Sequence, residues 1–205
     1  MARKADPSDK LIVSMLRLVA ARGWAAVSLS DIADDAGIAL SQCYDRFPSK
    51  VTLVSAYFAK RDQAMLLLVE QDRAQNANPL DADMAQDDET VRERLFDVAM
   101  ARFDAMAEDK PFLIALQNTC RRDPALSLSL LPAWRRSIRC VLEAAGIDTS
   151  GLRGLLRQKI YSGALLAAGR AWLKDDSADM ARTMATLDKQ LLRIERLHQV
   201  IPTRC

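Results

Sequence analysis

The chain has 205 residues, half of them hydrophobic, 27% charged and 5% aromatic, a composition that can bury a real core. Its 29 Lys and Arg against 27 Asp and Glu give a formal charge of +2, and residues 1–62 hold nine basic against seven acidic side chains, so no broad basic field announces a polyanionic partner. Four cysteines without paired spacing (Cys43, Cys120, Cys140, Cys205) and a lone histidine, His198, provide neither a metal framework nor a placed catalytic base, so no metal, no cofactor and no enzyme activity is expected.

Seven Gly and seven Pro are few beside the abundant Ala, Leu, Met and Arg, which predicts an all-α chain. No apolar run approaches the roughly 20 residues of a membrane span, and MARKADPSDK lacks the apolar region of a signal peptide, so a cytoplasmic protein without a membrane span is expected. The first helix opens at Asp6-Pro7, an N-cap followed by a proline at the position where its missing N–H costs nothing, and stops at Gly23. Leu11, Ile12, Met15, Leu16, Leu18 and Val19 recur along it at helical spacing, and Trp24 is expected to pack back onto it. Ser28-Leu29-Ser30-Asp31 has the form of a capping box with Asp in place of Glu, and Gly37 closes the short helix that follows. A second short segment, Leu40 to Phe47, ends at Pro48, and Ser49 caps a long helix from Lys50 to about Arg73.

Two helices of about seven residues joined by a glycine corner have the size and punctuation of a helix-turn-helix. Neither persists alone, so Ile32, Ala36, Ile38, Cys43 and Phe47 are expected to share a small core with the first helix. The polar stretch Gln75 to Glu89 reads as a linker or loop. Further helices are predicted at about Thr90–Ala107, Pro111–Arg122, Leu126–Ala145, Ser150–Lys174 and Ser177–Val200, the third of them kinked or divided at Pro132. The division is a helix-turn-helix domain over 1–50 and an all-helical domain over 51–205.

Leu11 to Lys50 resembles the DNA-binding domain of the TetR family of transcriptional regulators. The resemblance is carried by Arg22-Gly23-Trp24, Asp31-Ile32-Ala33, Ala36-Gly37-Ile38, Tyr44 and Phe47-Pro48-Ser49-Lys50. It implies an all-α, two-domain homodimer, most simply a repressor, binding double-stranded DNA at a pseudo-palindromic operator with Leu40 to Arg46 in the major groove. Ser41 and Gln42 then become direct readers of bases, since Gln pairs bidentately with adenine and Ser bonds tolerantly. Tyr44 is implied as a phosphate contact, Lys50 as a charge beside the free amides of its helix start, Ser28 as a backbone contact, and Leu40 and Arg46 complete the helix. Arg3 and Lys4 are expected as a basic arm reaching toward a groove.

Two departures stand out. Ala39 and Leu40 replace the small polar residue and frequent Lys that follow the turn, and Asp45 occupies a position that is often basic. An acid beside phosphate is a penalty, so either Asp45 accepts from a cytosine amino group, Arg46 supplies the compensating charge, or DNA binding is weak or lost. The last case corresponds to a second resemblance. Tyr161, Trp172, Asp175, Asp176, Ser177, Asp179, Thr183, Leu187 and Asp188 look like a lipid-binding accessory family of ubiquinone biosynthesis that has the TetR fold without using it on DNA.

In the remainder of the chain, Phe96, Met100, Phe103, Phe112, Leu116, Trp134 and Tyr161, with Met106 and Leu142, are either plain core or the lining of a cavity for an apolar or lipid-like effector. The small residues Gly154, Gly163, Ala164, Ala167 and Ala168 among leucines suggest close packing of the helix over 150–174, within the protomer or, with the last helix, across a homodimer.

Overall fold

The computed structural model describes residues 6–76, 90–177 and 179–200; the arm at Arg3 and Lys4 and most of the polar stretch expected as a linker lie outside them. The described residues form nine α-helices and no strand. These are α1 (Pro7–Arg22), α2 (Leu29–Ala36), α3 (Leu40–Arg46), α4 (Lys50–Asn76), α5 (Val91–Ala105), α6 (Lys110–Arg122), α7 (Pro124–Ala144), α8 (Gly151–Trp172) and α9 (Ala181–Val200), with one 3-10 turn at Ala107–Asp109. They fall into two compact units that are drawn differently from the two domains expected from sequence. The first unit runs to Lys60 and includes Ala107–Trp134, and the second holds Arg61–Met106 and the chain from Arg135 onward.

In the first unit each short helix is fixed at its ends. Asp6 accepts from the Ser8 amide at 3.0 Å and Pro7 fills the first position of α1. Gly37 takes the left-handed conformation at φ 65°, which lets its own amide reach Asp34 O at 3.1 Å and the Ile38 amide reach Ala33 O at 2.9 Å. That geometry sets the corner between α2 and α3. Leu11, Ile12, Met15, Leu18 and Val19 of α1, Ile32 and Ala33 of α2, Cys43 of α3 and Leu53, Val54 and Tyr57 of α4 are buried. Each buried aliphatic side chain contributes about 1.5–3 kcal/mol, which the caps alone could not supply to helices this short. Ala36, Ile38 and Phe47 are only half-buried, so the expected core holds at Ile32 and Cys43 and thins at its rim. Trp24 is buried as expected. α6 packs on α1, and the Tyr57 hydroxyl donates to the buried Asp109 carboxylate at 2.8 Å while its ring meets Phe112 edge-on at 5.3 Å.

In the second unit α9 packs along α8 and against α5. Phe103 of α5 stacks on Trp172 of α8 at 5.4 Å. Thr149 crosses so closely over α8 that a Cβ on Gly154 would lie 2.1 Å from its carbonyl carbon and oxygen, which only glycine permits. The last helix begins at Ala181, not at Ser177, because Asp175 organises the connection. Its buried carboxylate accepts from the Ser177 hydroxyl (2.5 Å), the Thr183 amide (2.8 Å) and the Thr183 hydroxyl (2.7 Å), and these bonds hold it well below the usual carboxylate range. Pro132 lies inside one unbroken α7. Its ring cannot donate to the carbonyl of Leu128, a residue on the exposed side of the helix.

Candidate nucleic-acid interface

α3 is anchored by one side chain and exposed by the rest. Cys43 is fully buried, and burial pushes its thiol up, which makes it a small hydrophobic peg. Ser41, Gln42, Tyr44, Asp45 and Arg46 are exposed, Tyr44 at 53% and Leu40 at the helix start at 39%. Six of the seven residues thus present a mainly polar, two-turn surface to which Leu40 and the ring of Tyr44 add apolar area. Arg46 folds along the helix, donating to the Gln42 carbonyl at 3.3 Å.

Ser28 completes the capping box at the start of α2. Its hydroxyl accepts from the Asp31 amide at 3.0 Å and its own amide donates to the Asp31 carboxylate at 2.7 Å. The Ser28 hydroxyl and amide together hold the Asp31 carboxyl below its usual range. The hydroxyl is thereby committed to the cap.

Lys50 is placed less as a free charge than as a tie. Its ammonium donates to the carbonyl of Trp24 at 2.7 Å and to that of Val27, and stands 4.4 Å from the centre of the Trp24 ring. Burial lowers its pKa, and the nearby Asp31 carboxylate opposes that shift. The result pins the α1–α2 turn to the start of α4. Ser49 caps α4 by accepting from the Thr52 amide at 3.2 Å, and the first amides of this 27-residue helix provide the positive end of its dipole. Elsewhere in the unit Arg17 pairs with Asp35 and Lys60 with Asp9, so positive charge is spent internally.

The residues considered for an effector cavity divide between the units. Phe112 and Leu116 are buried and Trp134 half-buried in the first; Phe103 and Tyr161 are buried and Phe96 and Met100 half-buried in the second. Phe112 is engaged with Tyr57 and Phe103 with Trp172. Phe96, with Met184 and Ala185, lines an open cleft of about 400 Å³ in the second unit, rimmed by Arg92, Glu93, Asp97 and Asp188.

Sequence reading did not anticipate a buried ion pair. Arg102 of α5 and Asp62 of α4 bond each other inside the second unit, and the Ser137 hydroxyl donates to the same Asp62 oxygen at 2.5 Å. The signal was present in the spacing, since Arg102 falls among Leu95, Val98, Ala99, Phe103 and Met106, on the buried stripe of its helix. The C-terminal residues that resemble the lipid-binding family divide: Tyr161, Trp172, Thr183 and Leu187 are buried and Asp175 is the connection's acceptor, whereas Asp176, Ser177 and Asp179 are exposed and Asp188 is half-buried.

Among the described residues no helix is long and apolar enough to cross a membrane, and no His, Cys, Asp and Glu cluster has metal-binding geometry.

Residues 11–57 match the model of the bacterial regulatory proteins of the tetR family. Among solved structures, a TetR transcriptional regulator from Nitrosomonas europaea is similar over 92% of this chain and 98% of its own, with 21% identity and a TM-score of 0.66. The fatty acid degradation regulator FadR from Bacillus halodurans is similar over 93% and 96%, with 20% identity and a TM-score of 0.60. A TetR transcriptional regulator from Rhodococcus sp. RHA1 is similar over 92% and 94%, with 16% identity and a TM-score of 0.59. No curated protein matches the chain.

Proposed function

From the premise that the N-terminal domain is that of the TetR family and the whole chain has the fold of its regulators, we propose that this protein is a ligand-responsive transcriptional repressor that binds a pseudo-palindromic operator as a homodimer. The observation that carries the reading is the outward polar face of α3, held in place by buried Cys43 with little else to do in the protomer. A helix of this width fits the major groove. Ser41 and Gln42 read base edges, Leu40 offers an apolar contact of the kind a thymine methyl takes, and the Tyr44 hydroxyl and Arg46 meet phosphates. The starts of α2 and α4, capped by Ser28 and Ser49, turn backbone amides toward phosphate, and Lys50 sets the orientation of the second of these.

Dimerisation is assigned to α8. Leu152 (85% exposed), Leu155, Leu156 and Leu166 lie on one exposed stripe with Gly163, where an added Cβ would meet nothing, and with Lys159 and Arg170, so the stripe is rich in leucine, carries two charges and allows close helix approach at Gly163. An apolar, lipid-like molecule entering the second unit is the effector, with the Phe96 cleft its entry. It relieves repression by favouring a dimer geometry in which the two α3 helices no longer match successive major grooves.

Selection from a random duplex pool by the purified full-length protein at near-physiological salt tests the reading. Enrichment of an inverted repeat with half-sites about one helical turn apart is expected. A folded protein that enriches no sequence overturns it.

A further inference from the structure

We propose that Asp45 is a specificity residue that selects a cytosine in the major groove, an inference that rests on α3 being the helix that enters DNA. With about 100° of turn per residue, Ser41 and Asp45 each lie roughly 160° from Cys43. Since Cys43 is the buried anchor of α3, these two residues share the ridge farthest from the core, one turn apart, while Gln42 and Tyr44 occupy the flanks. Whatever enters a groove with this helix leads with Asp45.

Asp45 is exposed, and among the described residues no hydrogen bond or ion pair engages its carboxylate. Arg46, the neighbouring cation, is turned toward the Gln42 carbonyl at 3.3 Å. An anion brought among phosphates without a donor weakens binding to every sequence, so a cognate site must supply the donor. The major groove contains two, the cytosine N4 amino group and the adenine N6 amino group. A carboxylate only accepts. Adenine sets the N7 acceptor beside its amino group, which repels a carboxylate and suits an amide such as Gln42; guanine shows two acceptors and thymine an acceptor and a methyl. Cytosine presents a donor without an adjacent acceptor on the same base, and the assignment follows by elimination. Asp45 thereby works in two directions, accepting from one base and penalising all others.

The test is pool selection with the full-length wild type, Asp45→Asn and Asp45→Ala under one salt condition. Both variants change an exposed side chain. For the wild type a fixed C·G pair is expected at one position of each half-site, surrounded by the positions read by Ser41 and Gln42. Asp45→Ala is expected to lose preference at that position alone and to bind unrelated duplex more tightly. Asp45→Asn is expected to exchange cytosine for adenine there, with discrimination between the two of roughly 5- to 150-fold. An inverted repeat with no fixed cytosine, or the same consensus from all three proteins, overturns the role of Asp45 and leaves the DNA-binding reading standing. Failure of the wild type to enrich any sequence overturns both.

Discussion

In the first unit the side chains left at the surface of α3 are mainly polar and carry little internal duty, whereas in the second several polar groups are buried and engaged and leucines remain at the surface of α8 beside Arg153, Lys159 and Arg170. Ser41, Gln42 and Asp45 face outward beyond a buried Cys43; Asp62, Arg102, Ser137 and Asp175 face inward while Leu152, Leu155 and Leu156 do not. A surface of spare donors and acceptors suits a partner that is itself polar and patterned, such as duplex DNA. A surface of spare leucines suits a second copy of the same helix. The two units thus differ in where polarity is placed, which is the difference that the proposed division between DNA recognition and dimerisation calls for.

The largest expected effect tests whether the buried polarity of the second unit is mutual compensation. Arg102→Met leaves the Asp62 carboxylate in the interior without its guanidinium while the Ser137 hydroxyl still donates to it, and is expected to cost about 3–5 kcal/mol in urea denaturation at fixed protein concentration. Adding Asp62→Leu removes the stranded charge and should recover most of the loss. A double variant as unstable as the single would mean that the pair has a duty beyond compensating itself. Gly154→Ala comes next. Its Cβ would fall on the Thr149 backbone, which cannot rotate away as a side chain tip can, so a loss of about 1–3 kcal/mol is expected, read as a lowered thermal midpoint. The same change at Gly163, where nothing is near, is expected to leave the protomer's packing intact and to weaken dimerisation, seen as a raised dissociation constant in sedimentation.

How much of this was legible beforehand differs between the units for a physical reason. The helix-turn-helix is built from local signals, and its caps, Gly37 and Pro48 mark boundaries that the structure reproduces within about a residue, ending α3 at Arg46 instead of Phe47. In the C-terminal half the helices themselves were legible from periodicity, but their pairings were not. Asp62 and Arg102 meet from positions 40 residues apart, and Asp175 sets the start of α9 through Thr183, eight residues on, overriding the nearer Ser177 as a cap. A hydrophobic period shows which face is inside; it does not show which polar residue on that face has found a partner from another helix. Lys50 fails to read as a tie for the same reason, since its carbonyl partners lie 23 and 26 residues earlier.

Ser28→Ala sharpens the claim that short helices in the first unit depend on their ends. Loss of the capping box is expected to cost about 1 kcal/mol at neutral pH in thermal unfolding. It should also change the acid response. In the folded protein the Asp31 carboxyl is depressed by the Ser28 hydroxyl and amide, so its contribution is present above the unfolded value of about 3.9 and is lost as pH falls through the lower folded value. Removing the hydroxyl narrows that gap, and the decline of stability with acid should become shallower. An unchanged acid limb would mean that Asp31 titrates independently of the cap.

The smallest effect concerns the salt dependence of DNA binding, and it separates two roles for one charge. If the Lys50 ammonium reached a phosphate in each half-site, Lys50→Met would remove two counterion-releasing contacts from a dimer, and the slope of log affinity against log salt would shrink in magnitude by about 1.8. In the structure that ammonium is already shared between two carbonyls and the face of Trp24, all of which it would have to leave. The expected result is therefore a lowered thermal midpoint and a uniform, few-fold loss of affinity across sequences, with the slope changed by much less than one. Phosphate attraction at the start of α4 then belongs to the backbone amides and the helix dipole, which the substitution leaves in place while loosening the turn that aims them.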